Sequence, residues 1–301
     1  MTPTVELRNL RKAYDGHVAV DDLSLTVPAG TVFGLLGPNG AGKTTTIRMV
    51  MDILGPDRGE VRLFGRSRQP GDGRRIGYLP EERGLYRKMT VAEMLLFLAA
   101  LNGVEAGRAR RLVDEWLAKV ELTAWADKKV EALSKGMQQK VQLIATVLHE
   151  PELLILDEPF SGLDPINQGL FKELIAELKG QGKTIVFSTH IMEQAEKLCD
   201  AIGLVARGRV ILAGELAAIK RERGTRAVEA RFAGPPPLLD GVPGVAAHEL
   251  RGDVARLVLA AGATAAGVLQ ALVGRGAAVE EYRSLEPDLE SIFIQAVRDA
   301  N

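Results

Sequence analysis

The sequence predicts an α/β domain with a mainly parallel core sheet, followed by a small α+β module, and three patterns carry that prediction. Continuous apolar runs at residues 32–36, 153–156 and 184–188 suit strands buried on both faces, as parallel strands are. Segments with helical apolar spacing lie between them, at 91–101, 106–122, 133–148 and near 168–179. Strands alternating with helices define an α/β layer structure. Beyond about Lys220 the composition shifts toward Ala, Val and Gly, and the stretch from Ala233 to Pro237 makes a turn-rich break.

In chain order, residues 5–8 and 23–27 alternate apolar and polar side chains with period two, and Asp15-Gly16 between them is a hairpin turn. This makes an antiparallel N-terminal β part. The buried strand at 32–36 runs into a glycine-rich loop, and a helix begins near Thr45. Gly180 and Gly182 stop the helix near 168–179. After the break, strands are expected at 227–232, 248–251, 255–259 and 278–283, with helices at 264–272 and 289–297. The expected domains are 1–220, with a helical subdomain at about 83–150, and 221–301.

Composition narrows the function classes. The formal net charge is −1, so bulk charge makes no case for nucleic acid. Cys199 is the single cysteine, which excludes an internal disulfide framework and fits a reducing compartment. The N-terminus has no apolar signal-like core, and no run reaches the roughly 18 apolar residues a membrane helix needs.

The chemistry starts at Gly37-Pro38-Asn39-Gly40-Ala41-Gly42-Lys43-Thr44, which satisfies the P-loop pattern between a buried strand and a helix. Glycines let backbone N–H groups turn toward phosphates, the helix N-terminus adds its dipole, and Lys43 adds a full charge. The hydroxyl of Thr44 suits Mg²⁺, and Thr45 continues the loop into the helix. The strand at 153–156 ends in Asp157 and Glu158. At such a tip Asp157 suits Mg²⁺, and Glu158 suits a water attacking the γ-phosphate.

The segment Leu133-Ser134-Lys135-Gly136-Met137-Gln138 resembles the LSGGQ signature of the ATP-binding cassette (ABC) family. Lys135 replaces a glycine and Met137 the glutamine, while Ser134 and Gly136 keep their places; a serine there alone would read as an ordinary helix cap. The resemblance covers roughly residues 3–218 and implies an ABC cassette of P-loop NTPase fold, binding ATP and Mg²⁺. It implies that Ser134, Gly136 and Gln138 bind the ATP held by the other protomer of a head-to-tail pair, either a homodimer or a paired heterodimer. It further implies that Tyr14 stacks on adenine, that Asp164 belongs to a D-loop crossing the seam, and that His190 is the switch histidine that positions Glu158. His17, His149 and His248 read as satisfied surface histidines.

After Pro80 the family usually has glutamine; here Glu81 takes that place, and a carboxylate is a harder ligand for Mg²⁺. The segment 83–91, the form of the signature and the tail from Glu286 to Phe293 look like exporter ATPases of the sodium- and drug-extrusion type with a small C-terminal domain. The resemblance implies an integral membrane permease as partner, contacted near residues 81–90, no direct nucleic-acid partner, and a cytoplasmic location, peripheral on the membrane through that permease. The alternative is a non-transport ABC ATPase acting on a macromolecular complex. Against it stand the single P-loop and the lack of sustained heptads between Lys43 and Ser134. Glu158 and His190 argue against a module without turnover.

Overall fold

A computed structural model describes residues 2–82, 84–224, 226–285 and 287–299. Arg83 and Glu286, which open two of the segments quoted above, lie outside the described residues. The chain divides into two compact units, Met1–Leu216 and Ala217–Asn301.

The first unit begins with strands β1 (Val5–Tyr14), β2 (His17–Val27) and β3 (Val32–Leu36), then helix α1 (Lys43–Val50). Next come β4 (Arg58–Leu63), β5 (Arg66–Ser67), β6 (Ile76–Leu79), α2 (Val91–Leu101), α3 (Ala106–Lys119) and α4 (Lys135–Val147). The unit continues with β7 (Leu153–Asp157), α5 (Pro165–Gly180), β8 (Thr184–Thr189), α6 (Met192–Leu198), β9 (Ala201–Ala206) and β10 (Arg209–Glu215). Helix α7 (Leu216–Arg223) runs across the division of the chain.

The main sheet has the order β10-β9-β3-β8-β7-β6 and is parallel except at β10. Alternate residues of its strands feed two separate cores. Phe33, Leu35, Leu153, Ile155 and Val186 pack with Ile47 and Met49 of α1. Val32, Leu154, Leu156, Ile185 and Phe187 pack with α2, α4 and α5. Burial on both faces is why these strands read as unbroken apolar runs. The smaller sheet, β2-β1-β4-β5, is antiparallel, with Tyr14 paired to His17 across the Asp15-Gly16 turn.

Several boundaries differ from expectation for local reasons. The first strand outlasts its alternation because a bulge near Asn9, with φ of 48°, absorbs the slip in register. Helix α1 starts at Lys43, two residues before the expected point. Helix α3 ends at Lys119 and not at Leu122. Glu121 turns left-handed there, and the N–H groups of Glu121 and Leu122 donate to the carbonyls of Ala118 and Leu117. Helix α5 begins at Pro165, preorganised at the first helical position after the Asp164 cap.

The second unit contains β11 (Ala227–Phe232), β12 (Val245–Arg251), β13 (Val254–Leu259), α8 (Ala265–Gly274), β14 (Val279–Leu285) and α9 (Leu289–Asp299). Its sheet, β12-β13-β11-β14, is antiparallel throughout. Val228, Ala230 and Leu257 of the sheet pack against Val268 and Leu272 of α8, so the unit has a core of its own.

Candidate nucleotide-hydrolysis site

The loop from Gly37 to Gly42 joins β3 to α1 and holds three glycines at φ of 152°, 77° and 102° (Gly37, Gly40 and Gly42). A β-carbon at Gly37 would stand 2.2 Å from the Val205 carbonyl oxygen, and one at Gly42 would stand 2.5 Å from that of Ala19. The loop is braced from behind. Gly208 N–H donates to the Ala41 carbonyl at 2.9 Å, and Asp21 N–H donates to the Gly208 carbonyl at the same distance. Pro38, Asn39 and Gly40 are exposed, while Ala41 is buried. No side-chain hydrogen bond caps α1 at Gly42, which leaves the first N–H groups of the helix for an anion. Thr46 donates to the Gly42 carbonyl, and Thr44 and Thr45 are half-buried beside it.

Lys43 is buried and donates from Nζ to the carbonyls of Gly37 at 2.7 Å and Pro38 at 3.1 Å. Its Nζ lies 3.8 Å from Glu158 Oε1. Burial pushes the ammonium pKa down, while the charges of Glu158, Asp157 and Glu81 push it back up. Glu81, although exposed, therefore belongs to the electrostatic surroundings of Lys43.

Asp157 ends β7 and is 1% exposed. Its Oδ1 accepts from Ser188 Oγ at 2.5 Å and from Thr44 Oγ1 at 3.4 Å. Its Oδ2 is buried and has no hydrogen-bond partner among the described residues. A buried carboxylate oxygen left bare is costly unless something positive reaches it. Thr44, Asp157 and Glu81 thus offer hard oxygens suited to Mg²⁺ shared with phosphates. Among the described residues no group of three or more His, Cys, Asp and Glu forms an all-protein metal cage.

Glu158 follows with φ of 48°, a left-handed conformation unusual for a residue with a β-carbon. Its N–H donates to Ser188 Oγ at 2.9 Å, and its Oε1 lies 3.1 Å from His190 Nδ1. His190, just after β8, is 47% exposed, while the Glu158 side chain is 11% exposed and stands beside Lys43. Lys43, Thr44, Asp157, Glu158 and His190 are thereby brought together. Tyr78, half-buried on β6, carries no motif signal in the sequence. Burial and the Asp157 charge push its hydroxyl up to about 12. Ser188 is a second such residue: the sequence marks it only as a hydroxyl near the tip of an apolar strand.

The remaining residues sit elsewhere. Ser134 caps α4, accepting from Met137 N–H at 3.3 Å. Gly136 lies against α5, where an added β-carbon would meet Asn167 Nδ2 at 3.0 Å. Among the described residues no hydrogen bond or ion pair joins Ser134 or Gly136 to the P-loop of the same chain. Gln138 turns its amide inward, donating to the carbonyls of Leu133 at 3.1 Å and Val130 at 3.4 Å, so in this chain it braces the loop before α4. Asp164 caps α5 by accepting from Ile166 and Asn167 N–H, both at 3.0 Å, and those bonds hold its carboxyl below its ordinary pKa. Tyr14 is exposed at the end of β1, with Lys12 Nζ 5.9 Å from its ring centre.

A parallel sheet with a P-loop after one strand and paired carboxylates at the tip of another defines a P-loop nucleotide-binding protein. The ABC transporter family model matches residues 20–161, and the model of the ATP-binding protein DrrA1-3-like C-terminal domain matches 214–297. The uncharacterized ABC transporter ATP-binding protein YhaQ of Bacillus subtilis is 42% identical over 289 residues, spanning 96% of this chain and 97% of that protein. Nod factor export ATP-binding protein I of Cupriavidus metallidurans is 36% identical over 302 residues, spanning 98% and 97%. A solved ATP-binding subunit of an ABC transporter superposes with a TM-score of 0.68 at 34% identity, covering 73% of this chain and 92% of its own. CbiO1 of Clostridium perfringens, part of the CbiONQ transporter complex, gives 0.65 at 27%, covering 74% and 92%. The chain belongs to the ABC transporter ATP-binding proteins, with an ABC cassette and a DrrA-like C-terminal domain.

Proposed function

We propose that this chain hydrolyses ATP with Mg²⁺ in a head-to-tail pair of cassettes and so drives a separate membrane permease, in the export direction. The observation that carries hydrolysis is the meeting of Lys43, Asp157, Glu158 and His190 at one end of the main sheet. Lys43 and the open first turn of α1 bind the phosphates. Thr44 and Asp157, with Glu81 near, would hold Mg²⁺, which neutralises phosphate charge when bound. Glu158 orients a water or takes its proton, and His190 fixes the Glu158 carboxylate through its Oε1. Ser134 and Gly136, which make no hydrogen bond to their own P-loop among the described residues, are assigned to the ATP of the second copy, with Asp164 near the seam and Tyr14 on the adenine.

The domain assignment is a cassette at 1–220, with its helical subdomain at about 83–150, and an accessory domain at 221–301. A groove of about 320 Å³ lined by Tyr78, Pro80, Leu85, Leu98 and His149 supports permease contact near residues 81–90. Among the described residues no helix is long and apolar enough to cross a membrane, so the transport path is assigned to that partner. The chain would then sit on the cytoplasmic face. Export is supported by the similarity to the Nod factor export ATP-binding protein, the name given to that relative.

The Glu158→Gln variant tests the scheme. It is expected to keep ATP binding, to lose turnover by about a hundredfold or more, the scale of losing a general base, and to elute as an ATP-dependent dimer in gel filtration. A variant that stays monomeric with ATP, or turns over like wild type, contradicts it.

A further inference from the structure

We propose that Ser188 is a positioning residue for hydrolysis. One hydroxyl orients Asp157 so that a single oxygen stays free for the metal, and the same oxygen pins the backbone of Glu158. The inference rests on the roles given above to Asp157 and Glu158.

Ser188 is 0% exposed and stands opposite Asp157 in the parallel register of β7 and β8. A serine hydroxyl has one proton and two lone pairs. The proton goes to Asp157 Oδ1 at 2.5 Å, and a lone pair then faces the Glu158 N–H, which donates at 2.9 Å. Neither partner has an equal substitute. Thr44 reaches Asp157 Oδ1 only at 3.4 Å, and Glu158 holds a φ of 48° that its own side chain does not favour. The short bond makes the two Asp157 oxygens unlike: Oδ1 is occupied and Oδ2 is bare. Without the hydroxyl the carboxylate is free to rotate, and the Glu158 N–H loses its acceptor. Groups that orient metal ligands from behind in this way are typically worth about ten- to a hundredfold in affinity or activity.

Wild type, Ser188→Ala and Ser188→Thr are compared in two assays. The first titrates Mg²⁺ against binding of a fluorescent ATP analogue, and the second separates steady-state ATPase into kcat and KM. Ser188→Ala is expected to raise the Mg²⁺ half-saturation and to lower kcat, each by about ten- to a hundredfold. Metal-free nucleotide binding stays as in wild type, and Ser188→Thr restores both values. Wild-type behaviour of Ser188→Ala in both assays overturns the inference, as does an equal loss of metal-free binding, which would mean collapse of the site. If the alanine variant does not fold, Ser188→Cys, with a weak donor of similar shape, is read by the same criteria. If Asp157→Asn and Glu158→Gln also leave Mg²⁺ dependence and turnover unchanged, the roles of those two residues fall first, and that result is distinct from a failure at Ser188 alone.

Discussion

At Gly37 a φ of 152° and the Val205 carbonyl, 2.2 Å from where a β-carbon would sit, act together. Ala at that position must displace either the loop or β9. Strain of about 1–3 kcal/mol in the bound conformation converts to roughly ten- to a hundredfold weaker binding. Gly37→Ala is expected to weaken ATP binding by that factor in isothermal titration while the sheet still forms. His149 offers a second residue-scale test. Its Nε2 donates to the Ile76 carbonyl at 3.1 Å, and its buried Nδ1 has no partner among the described residues. Burial holds its pKa below the ordinary value of 6.5, so the unfolded chain takes up a proton at a pH where the folded chain does not. Its contribution is present above about 6.5 and is lost as pH falls below it. His149→Gln, which keeps a donor, is expected to flatten the fall in Tm between about pH 7.5 and 5.5, measured by thermal melts.

Among the elements, α2 is held at its start by reciprocal bonds. Glu93 N–H donates to Thr90 Oγ1 at 3.2 Å, and Thr90 N–H donates to Glu93 Oε2 at 2.9 Å. Thr90→Ala is expected to cost about 1 kcal/mol in urea unfolding, with little effect on ATP binding. Elements buried on both faces were legible in the sequence because their apolar runs leave no other reading, as at 32–36 and 153–156. Others were not. Strand β4 is half-exposed and carries three charges in six residues, and β10 is exposed along much of its length, so neither has a period to detect. Strand β9 is buried as well, but only Cys199 and Asp200 stand between it and α6, so no turn signal marks its start. The P-loop and the Asp157-Glu158 tip were legible as motifs. The role of Ser188 was not, because it depends on the register of β8 against β7. The inward turn of Gln138 was hidden for a similar reason: its acceptors, Val130 and Leu133, follow from how the preceding loop folds.

On the scale of the whole molecule, the two units have separate cores: Phe33, Ile47 and Phe187 serve the first, and Val228, Leu257 and Leu272 the second. A chain ending at Lys220 is therefore expected to fold and to bind ATP within about threefold of the full chain, the scatter of less than 1 kcal/mol typical of independent sites. Comparing its ATP-dependent dimerisation with that of the full chain by sedimentation separates assembly from regulation as the task of the accessory domain.

The brace behind the P-loop has a temporal side. Gly37 N–H bonds to the Thr189 carbonyl and Ala41 receives the N–H of Gly208, so the supports that bond the loop directly come from residues encoded far downstream. A ribosome extrudes Lys43 early and these supports only when the unit is almost complete. Contacts so distant along the chain form late. The nascent cassette is therefore expected to form its parallel sheet before the P-loop can hold nucleotide.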